Sequence, residues 1–461
     1  MGALELENGG VIVPCCFDDD EEEVEEYGSG SQGSVEEAVE VLLRGLGEDI
    51  RREGIKKTPF RVAKAFRDGT KGYKQSVDDI VQGALFPESG LNSAKGHAGG
   101  SGGLVVVRDI NLFSYCESCL LPFRLVCHVG YVPSGQRVVG LSKLARVADV
   151  FSKRLQSPQR LAHEICSALQ TSINPGGVAV VLQCWHIQMV SDGESIKSSQ
   201  NWSSVHVRST SGTFDVQKSD LLEDFLTLLK FQGMRSSSSN HTNGRVIKPW
   251  CPMLSSTLSL SPCTAPPMIR AVTSIIRSIG ENPNRNELVG TPLRFVQWLM
   301  QFKKSSLGIN LNGMITNQND KCFDLEPVLD MFSELNIPFC AQCEHHLLPF
   351  HGVVHIGYYR SKIQDAAIGI GCYDRRLMNL IVQFYGCKLQ VQERLTRQIA
   401  ETVFGIYNKG VMVVVEADHV CMISRGVEKL GSNTATVATL GLFLVDSDAK
   451  SKFLKNVVEC K

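Results

Sequence analysis

The chain has 461 residues, of which 43% are hydrophobic and 21% charged, which suits a soluble globular protein of two or three domains. Its formal net charge is −1, but eight acids crowd residues 18–26, and the remainder carries +7. A mildly basic body suits an anionic small molecule, and it is too weak a signal to indicate nucleic acid. No run of about 18 apolar residues exists, so no membrane span is predicted.

The cysteine usage and the N-terminus indicate a cytoplasmic protein. Sixteen cysteines are scattered along a long chain instead of being packed into a small secreted framework. We therefore interpret them as reduced thiols and metal ligands. The acidic N-terminus argues against a signal or transit peptide.

Two segments whose composition is not typical of a folded domain divide the chain into blocks. Residues 1–34 are polar, acidic and glycine-rich, a composition typical of disorder. Residues 234–267 are rich in serine and proline and are predicted to be a linker. The remaining blocks, 35–233 and 268–461, are the predicted domains.

The two blocks repeat one another in order. Both contain Thr-Pro-x-Arg (58–61 and 291–294), which predicts a helix start with threonine as N-cap and proline at the first helical position. CESCLLPF begins at 116 and CEHHLLPF at 343, and His-x-Gly-Tyr follows each string. Finally, GGVAVVLQCWHIQM from 176 matches KGVMVVVEADHVCM from 409. A duplicated α+β domain is therefore predicted. Each block opens with an amphipathic helix pattern: Val35, Ala38, Val39, Leu42, Leu43 and Leu46, then Ile269, Val272, Ile275, Ile276 and Ile279.

A metal site is predicted in the second block. His419 and Cys421 are two apart in a valine-rich strand pattern, so they are expected to face one side. Of the adjacent His345 and His346, only one is expected to share the ligand face of Cys343. Two thiolates and one imidazole would leave a fourth position open for water, the pattern of a catalytic zinc site.

Other interpretations of these cysteines stay open. A structural zinc site would need a fourth ligand, such as Cys340 or Cys372, and the thiols could also be buried without metal. The first block has Cys119 and Gln188 where the second has His346 and Cys421. Without a metal, His186 of the first block is expected to be a hydrogen-bonded strand residue. Cys116-x-x-Cys119 could form a redox or metal pair, but no second ligand pair is expected nearby.

Three motifs of the second block together resemble the GTP cyclohydrolase I family. They are CEHHLLPF, QVQERLT at 390–396, and His-x-Cys-x-x-x-Arg-Gly at 419–426. GLSKLAR at 140–146 of the first block is similar to the phosphate-side motif of that family. The resemblance covers nearly all of both blocks, and their tandem order is similar to the plant-type form. It implies two tunnelling-fold (T-fold) domains, each an antiparallel sheet packed with helices, that assemble into ring barrels.

The resemblance also implies a reaction and the residues that carry it. The family opens the guanine ring of GTP, releases C8 as formate and forms 7,8-dihydroneopterin triphosphate for folate synthesis. Cys343, His346 and Cys421 match the Zn²⁺ ligands whose water attacks C8. His345 and His419 match the acid/base histidines of the family. Glu393, helped by Gln392, matches the residue that anchors guanine.

The triphosphate carries about four negative charges, so several cations must converge on it. Ser142 is expected to cap a helix that carries Lys143 and Arg146 on its first turns, and it is also a candidate catalytic residue. The remaining candidate cations are Arg425 and the two Thr-Pro-x-Arg arginines, Arg61 and Arg294.

Neither block carries a whole family site. The second block has GIGC at 369–372 where Gly-Leu-Ser-Lys is expected, and Arg375 or Arg376 could partly substitute. The first block has SPQR at 157–160 in place of the Gln-Glu anchor, and Asp192 where the second has Arg425.

Two functional hypotheses follow. The first is an active enzyme with composite sites, in which the second block supplies zinc, histidines and guanine anchor and the first supplies phosphate-side cations. A homo-oligomer of five chains and ten domains would then hold five sites. The second is a non-catalytic regulatory homologue that binds GTP or a pteridine. Other pterin-fold enzymes rank third, and the nucleophilic cysteine motif of a nitrile reductase is not found.

Overall fold

The computed structural model describes ten stretches of the chain, and all structural statements concern these: 34–87, 103–134, 137–187, 202–215, 220–230, 250–254, 266–308, 329–361, 373–424 and 433–460. The segment 1–33, predicted to be disordered, and most of the predicted linker lie outside them. None of the described helices is long and apolar enough to cross a lipid bilayer.

The first domain begins with four helices, which are followed by strands with helices between some of them. Its helices are α1 Val35–Leu46, α2 Glu53–Lys56, α3 Thr58–Thr70, α4 Val77–Val81, α5 Leu141–Ser152, α6 Pro158–Ile173 and α7 Asp220–Leu228. Its strands are β1 Leu85–Pro87, β2 Val105–Cys116, β3 Pro122–Val132, β4 Arg137–Val139, β5 Leu155–Gln156, β6 Gly177–Ile187 and β7 Trp202–Gly212.

The second domain likewise begins with helices and continues with strands. Its helices are α8 Pro266–Ser278, α9 Thr291–Gly308, α10 Tyr373–Gly386, α11 Gln392–Tyr407, α12 Val420–Ser424 and α13 Ser447–Glu459. Its strands are β8 Leu329–Cys343, β9 Pro349–Ser361, β10 Leu389–Gln390, β11 Gly410–His419 and β12 Thr434–Gly441.

Each domain is built on one five-stranded sheet. The strand orders are β5-β2-β3-β6-β7 and β10-β8-β9-β11-β12, so equivalent strands occupy equivalent places. The four long strands of each sheet pair antiparallel, as predicted. The two-residue strands β5 and β10 differ, because they follow a crossover helix and pair parallel with β2 and β8.

Backbone irregularities repeat at equivalent positions as well, which supports the predicted duplication. β2 and β8 each carry a register shift, and in each a residue with positive φ lies within it, Asp109 and Asn336. The turns after these strands contain Leu120 and Leu347 at φ 58° and 54°. A non-glycine residue pays a steric cost in this region, so two equivalent leucines there indicate that both turns demand one conformation.

The sheets bury both faces. On one face, α5 and α6, or α10 and α11, pack over an apolar core that continues from one domain into the other. On the opposite face a C-terminal helix inserts one ring, Phe225 of α7 or Phe453 of α13. The glycines of the two His-x-Gly-Tyr motifs make room for these rings, because a Cβ on Gly130 or Gly357 would lie 2.8 Å from a ring carbon.

The predicted amphipathic helices are confirmed as α1 and α8, which pack against each other across the domain boundary. The predicted role of threonine in Thr-Pro-x-Arg is wrong. Lys57, not Thr58, is the N-cap residue of α3, with Pro59 in the first turn. The Thr58 hydroxyl does not cap this helix, because it donates to a backbone carbonyl of the other domain.

Candidate metal and active site

Three residues of the second domain form a compact donor cluster. Cys343 ends β8, His346 lies in the following turn, and Cys421 lies in α12. One donor atom from each lies within 4.8 Å of the others, and all three side chains are buried. Of the predicted fourth ligands, Cys340 lies outside this cluster and Cys372 lies outside the described residues.

The turn after β8 selects one of the two adjacent histidines. The Cys343 amide donates to the Leu348 carbonyl at 2.9 Å, and the Leu347 amide donates back to the Cys343 carbonyl at 2.9 Å. This closed turn brings His346 Nδ1 to 3.9 Å from Cys343 Sγ. His345 instead is 16% exposed, with Nε2 3.9 Å from Glu344 Oε1. His346 is thus the histidine of the cluster.

The secondary structure that places Cys421 in the cluster differs from the prediction. The prediction placed His419 and Cys421 on one strand, but β11 ends at His419 and α12 begins at Val420. The backbone turns at this point, so the two side chains share the site through a strand end and a helical turn. His419 remains within electrostatic range of Cys343.

The electrostatics of the cluster suit a thiolate ligand. Hydrogen bonding with Cys421, and then with His346, holds the pKa of the Cys343 thiol well below its ordinary value. Burial lowers the pKa of His345 and of His419. A deprotonated sulfur is the form in which cysteine binds a divalent metal.

His419 is held in one orientation by Gln392. The Gln392 amide nitrogen donates to the Val415 and Thr434 carbonyls at 3.0 and 2.9 Å. Its Oε1 is therefore the acceptor for His419 Nε2, 2.7 Å away, so Nε2 carries the proton. The ring also stacks on Phe350 at 4.7 Å. Gln392, predicted to assist guanine binding, positions His419 in this structure.

Glu393 lies next to this pair, at the start of α11. Its carboxylate is half-buried, and Oε2 has no hydrogen-bond partner among the described residues. The carboxylate acts electrostatically on His419. A buried acceptor without a donor costs free energy unless a ligand supplies one, so it is a candidate binding group.

In each domain, the turn that carries the cluster residues is held by the other domain. Thr58 Oγ1 donates to the Glu344 carbonyl at 2.7 Å, and Thr291 Oγ1 donates to the Glu117 carbonyl at 2.6 Å. The acidic side chains are paired across the boundary as well, Glu344 with Arg52 and Glu117 with Arg285, both at 2.8 Å. The two Thr-Pro-x-Arg motifs thus have reciprocal roles.

The arginine of each motif interacts with the opposite domain. Arg61 of the first domain lies within electrostatic range of His345 in the second. Arg294 of the second domain donates from Nε to the Ser118 carbonyl at 2.7 Å in the first. Arg61 is thus a cation of the first domain that acts on His345, beside the donor cluster of the second.

The phosphate-side candidates lie elsewhere in the first domain. Gly140, not Ser142, is the N-cap of α5, so the predicted capping role of Ser142 is wrong. Ser142 and Arg146 are exposed on this helix, and Lys143 Nζ donates to the Ile80 carbonyl at 2.7 Å. No described hydrogen bond joins these three residues to the second domain. Arg425 lies outside the described residues.

The first domain holds a cluster that the sequence pattern missed. Cys116, Cys119, His186 and Cys251 place four donor atoms within 4.8 Å of one another. The expectation that no second ligand pair lies near Cys116 and Cys119 is therefore wrong, because His186 and Cys251 form one. The only signal was a tryptophan and a cysteine, Trp250 and Cys251, within a serine- and proline-rich segment.

The fold and its sites define a tandem α+β protein with a cysteine-histidine donor cluster at the end of each central sheet. In the second domain the cluster has three donors, flanked by two histidines and a carboxylate, an arrangement typical of a metal-dependent enzyme.

Comparison with known proteins identifies the family. The sequence profile of GTP cyclohydrolase I matches residues 35–230 and 268–458. GTP cyclohydrolase 1 of Solanum lycopersicum is 55% identical over 430 residues, covering 92% of this chain and 91% of the relative. The Arabidopsis thaliana protein of that name is 51% identical, covering 92% and 90%. A Synechococcus relative is 44% identical over 195 residues, 42% of this chain and 77% of its own.

The chain belongs to the GTP cyclohydrolase I family. These matches confirm the predicted family, the tandem T-fold class and the enzyme class.

Proposed function

We propose that this chain converts GTP to 7,8-dihydroneopterin triphosphate and formate, the first step of folate synthesis, at a Zn²⁺ site made by Cys343, His346 and Cys421. The observation that carries the proposal is the three-donor cluster flanked by His345, His419 and the unpartnered carboxylate oxygen of Glu393. Family membership supplies the reaction, and these residues supply its chemistry.

The donor set fits zinc. Two thiolates and one imidazole are ligands that Zn²⁺ prefers, and three protein ligands leave one of four positions for water or substrate. When bound there, Zn²⁺ supplies Lewis acidity that lowers the pKa of a water to about 7. Because the pKa of the Cys343 thiol is lowered, deprotonating this ligand costs less free energy.

Glu393 is the proposed guanine anchor. Guanine presents its N1–H and its exocyclic amine side by side, and one carboxylate can accept from both. Because Oε2 is buried without a hydrogen-bond partner among the described residues, the base would satisfy an acceptor that is otherwise left unmet. An isostere without these donors would be rejected for the same reason.

His345 and His419 are the proposed proton carriers. Burial lowers the pKa of each, so each imidazole is neutral near pH 7 and can accept a proton. His419 is oriented by Gln392 and by the Phe350 ring, which fixes the protonated nitrogen at Nε2. Because His345 is 16% exposed, it can exchange protons with solvent.

The site is proposed to be composite. Arg61, within electrostatic range of His345, supports a contribution from the first domain of the same chain. Lys143 bonds within its own domain, which favours a second chain as the source of the phosphate-side set. That set is Ser142, Lys143 and Arg146, with Arg294 and Arg425 as further candidate cations. A cytoplasmic homo-oligomer of five chains with five sites is consistent with this proposal.

The test is turnover by the purified full chain. Zinc-loaded protein is incubated with GTP, and formate and the fluorescent pterin formed after oxidation are quantified. We expect both products in equal amounts. A folded, zinc-loaded chain that binds GTP and forms neither product would support the non-catalytic GTP- or pteridine-binding alternative instead.

The sharing of sites has its own test. Lys143→Ala and His419→Ala chains are assayed separately and then mixed under conditions that exchange subunits. We expect each to be inactive and the mixture to regain activity if sites are shared between chains. Strong activity in Lys143→Ala alone would refute the contribution of the first domain through that residue.

A further inference from the structure

The first domain contains a four-donor cluster that the proposed GTP chemistry does not use. Its residues come from separate segments: Cys116 ends β2, Cys119 lies in the following turn, and His186 lies near the end of β6. Cys251 lies in the stretch 250–254, between the two segments that match the family profile. We propose that these four residues bind a structural Zn²⁺ that fastens the interdomain connection to the first domain.

The donor types and spacing suit zinc. Three sulfurs and one imidazole nitrogen form a Cys₃His set, one of the usual closed structural zinc sites. With bonds of about 2.3 Å to sulfur and about 2.0 Å to nitrogen, tetrahedral donors lie roughly 3.5 to 3.8 Å apart. The four atoms lie within 4.8 Å of one another, and Cys119 Sγ is 3.3 Å from His186 Nε2. Small movements would complete the tetrahedron.

His186 already has the tautomer of a ligand. Its Nδ1 lies 2.8 Å from the backbone carbonyl of Ile187, which can only accept, so Nδ1 carries the proton. In a neutral ring the lone pair is then on Nε2, the atom that faces Cys119. A backbone carbonyl that fixes the second nitrogen is the usual support of a metal-bound histidine.

Burial distinguishes this cluster from the one in the second domain. Cys116 and Cys119 are each 1% exposed, and His186 and Cys251 are completely buried. Cys421, in contrast, retains 9% exposure in a cluster of only three donors. Four buried protein ligands leave no position for substrate, so the proposed role is structural.

The two clusters are related by the duplication. Phe123 stacks on His186 as Phe350 stacks on His419, which shows that the two histidines are equivalent in the fold. Cys119 occupies the position of His346, and Cys251 supplies the additional sulfur from outside the repeat. A histidine that flanks the metal in one domain is thus a ligand in the other.

Neighbouring residues support the charge and the position of the cluster. Three thiolates and Zn²⁺ carry a net charge of −1, and the Arg294 guanidinium, which donates to the Ser118 carbonyl, interacts electrostatically with Cys251. Trp250 packs edge-on against His186 at 5.4 Å. A metal here would therefore hold Cys251 and the segment around it on the first domain.

The test counts zinc in the full chain. We expect two equivalents of zinc after dialysis of the parent protein, one from each cluster. Cys251→Ser should lose one equivalent and keep the zinc of the second domain, whereas Cys421→Ser should lose the other. Cys184→Ala, which removes a completely buried thiol of β6 that belongs to neither cluster, is the matched control and should retain both.

A second measurement needs no variant. Zinc X-ray absorption on the parent chain should give an average of between two and three sulfur ligands per zinc, because one site has three sulfurs and the other two. One zinc per chain with two sulfur ligands would overturn the proposal, as would two equivalents retained by Cys251→Ser. A disulfide among Cys116, Cys119 and Cys251, found by mass spectrometry of the unreduced protein, would also overturn it.

Discussion

The hydroxyl of Thr58 donates a 2.7 Å hydrogen bond to the backbone carbonyl of Glu344, so a residue of the first domain holds the turn between the donors Cys343 and His346 of the second. The equivalent bond, from Thr291 to the Glu117 carbonyl, holds the corresponding turn of the first domain. Both hydroxyls are buried, and so are the two glutamates whose carbonyls accept from them. Neither cluster is therefore supported by its own domain alone.

Thr58→Val tests this bond with little change in volume. The valine leaves the buried Glu344 carbonyl without its donor, so we expect the free energy of unfolding to fall by about 1–3 kcal/mol. Zinc affinity should fall as well, because the turn that carries Cys343 and His346 is less well held. Urea unfolding and competition with a chelator measure the two effects.

Thr273→Val is the matched control for that experiment. Its hydroxyl donates to the Ile269 carbonyl within α8, at the partly exposed face of one helix. We expect a loss of stability below about 1 kcal/mol and unchanged zinc affinity. Equal effects of Thr58→Val and Thr273→Val on zinc would show that the bond between domains does not support the metal site.

Glu393→Gln separates binding from stability. The change removes a half-buried carboxylate whose Oε2 has no described hydrogen-bond partner, so the ligand-free protein should be as stable as the parent or more stable. Turnover of GTP should fall by about 100-fold or more, because an amide cannot accept from both guanine donors. Steady-state kinetics and thermal unfolding provide the two readings.

Glu401→Gln is the control on the same helix. Glu401 is 58% exposed and pairs with Arg397, so its loss should change neither stability nor turnover appreciably. A Glu393→Gln chain that turned over GTP at the parent rate would remove Glu393 from the binding site.

Sequence patterns predicted the architecture well because it depends on local and repeated signals. Helical spacing of apolar residues predicted α1 and α8, and matching strings predicted two equivalent sheets. The donors Cys343, His346 and Cys421 were also predicted. The family motifs that contain them are contiguous, so their chemistry can be seen along the chain.

What the sequence did not predict depends on contacts between distant segments. Thr58 matches an N-cap, yet its hydroxyl bonds to Glu344, 286 residues away. Cys251 belongs to no motif, and only the fold brings it to Cys116. A helical turn at Val420 also replaced the predicted strand, because the end of β11 is set by where pairing with β9 stops.

Arg61→Ala tests the cation that the first domain brings to the second. Loss of a charge-assisted bond to phosphate costs about 1.5–3 kcal/mol, so kcat/KM for GTP should fall by roughly 10- to 150-fold. Zinc content should not change, because Arg61 is not a ligand. Arg67 lies on the same helix and pairs with Glu36 of α1, so Arg67→Ala should retain activity. Equal kinetics for the two variants would contradict the composite site.

The pH dependence of stability should show the buried His351. Burial lowers its pKa to about 4, below the ordinary value of 6.5. Between these values the unfolded chain binds the proton more readily, so stability is complete above pH 6.5 and is lost as the pH falls towards 4. One such group contributes up to roughly 3 kcal/mol.

His351→Phe removes this titration and keeps a ring beside Trp202, whose ring centroid lies 5.8 Å from that of His351. We expect the free energy of unfolding of the variant to fall less than that of the parent between pH 6.5 and 4. Acid release of metal affects both chains equally, so the difference between them reports on His351. Parallel pH curves would show that His351 does not titrate in this window.

The most direct measurement of the central claim is formate release from GTP by three full-length chains purified in zinc-containing buffer: the parent, Cys421→Ser and Arg61→Ala. The account predicts equimolar formate and pterin from the parent, none from Cys421→Ser, and a reduced rate from Arg61→Ala, because one domain supplies the metal cluster and the other a cation. A folded parent chain that releases no formate would contradict it, as would an undiminished rate after either substitution.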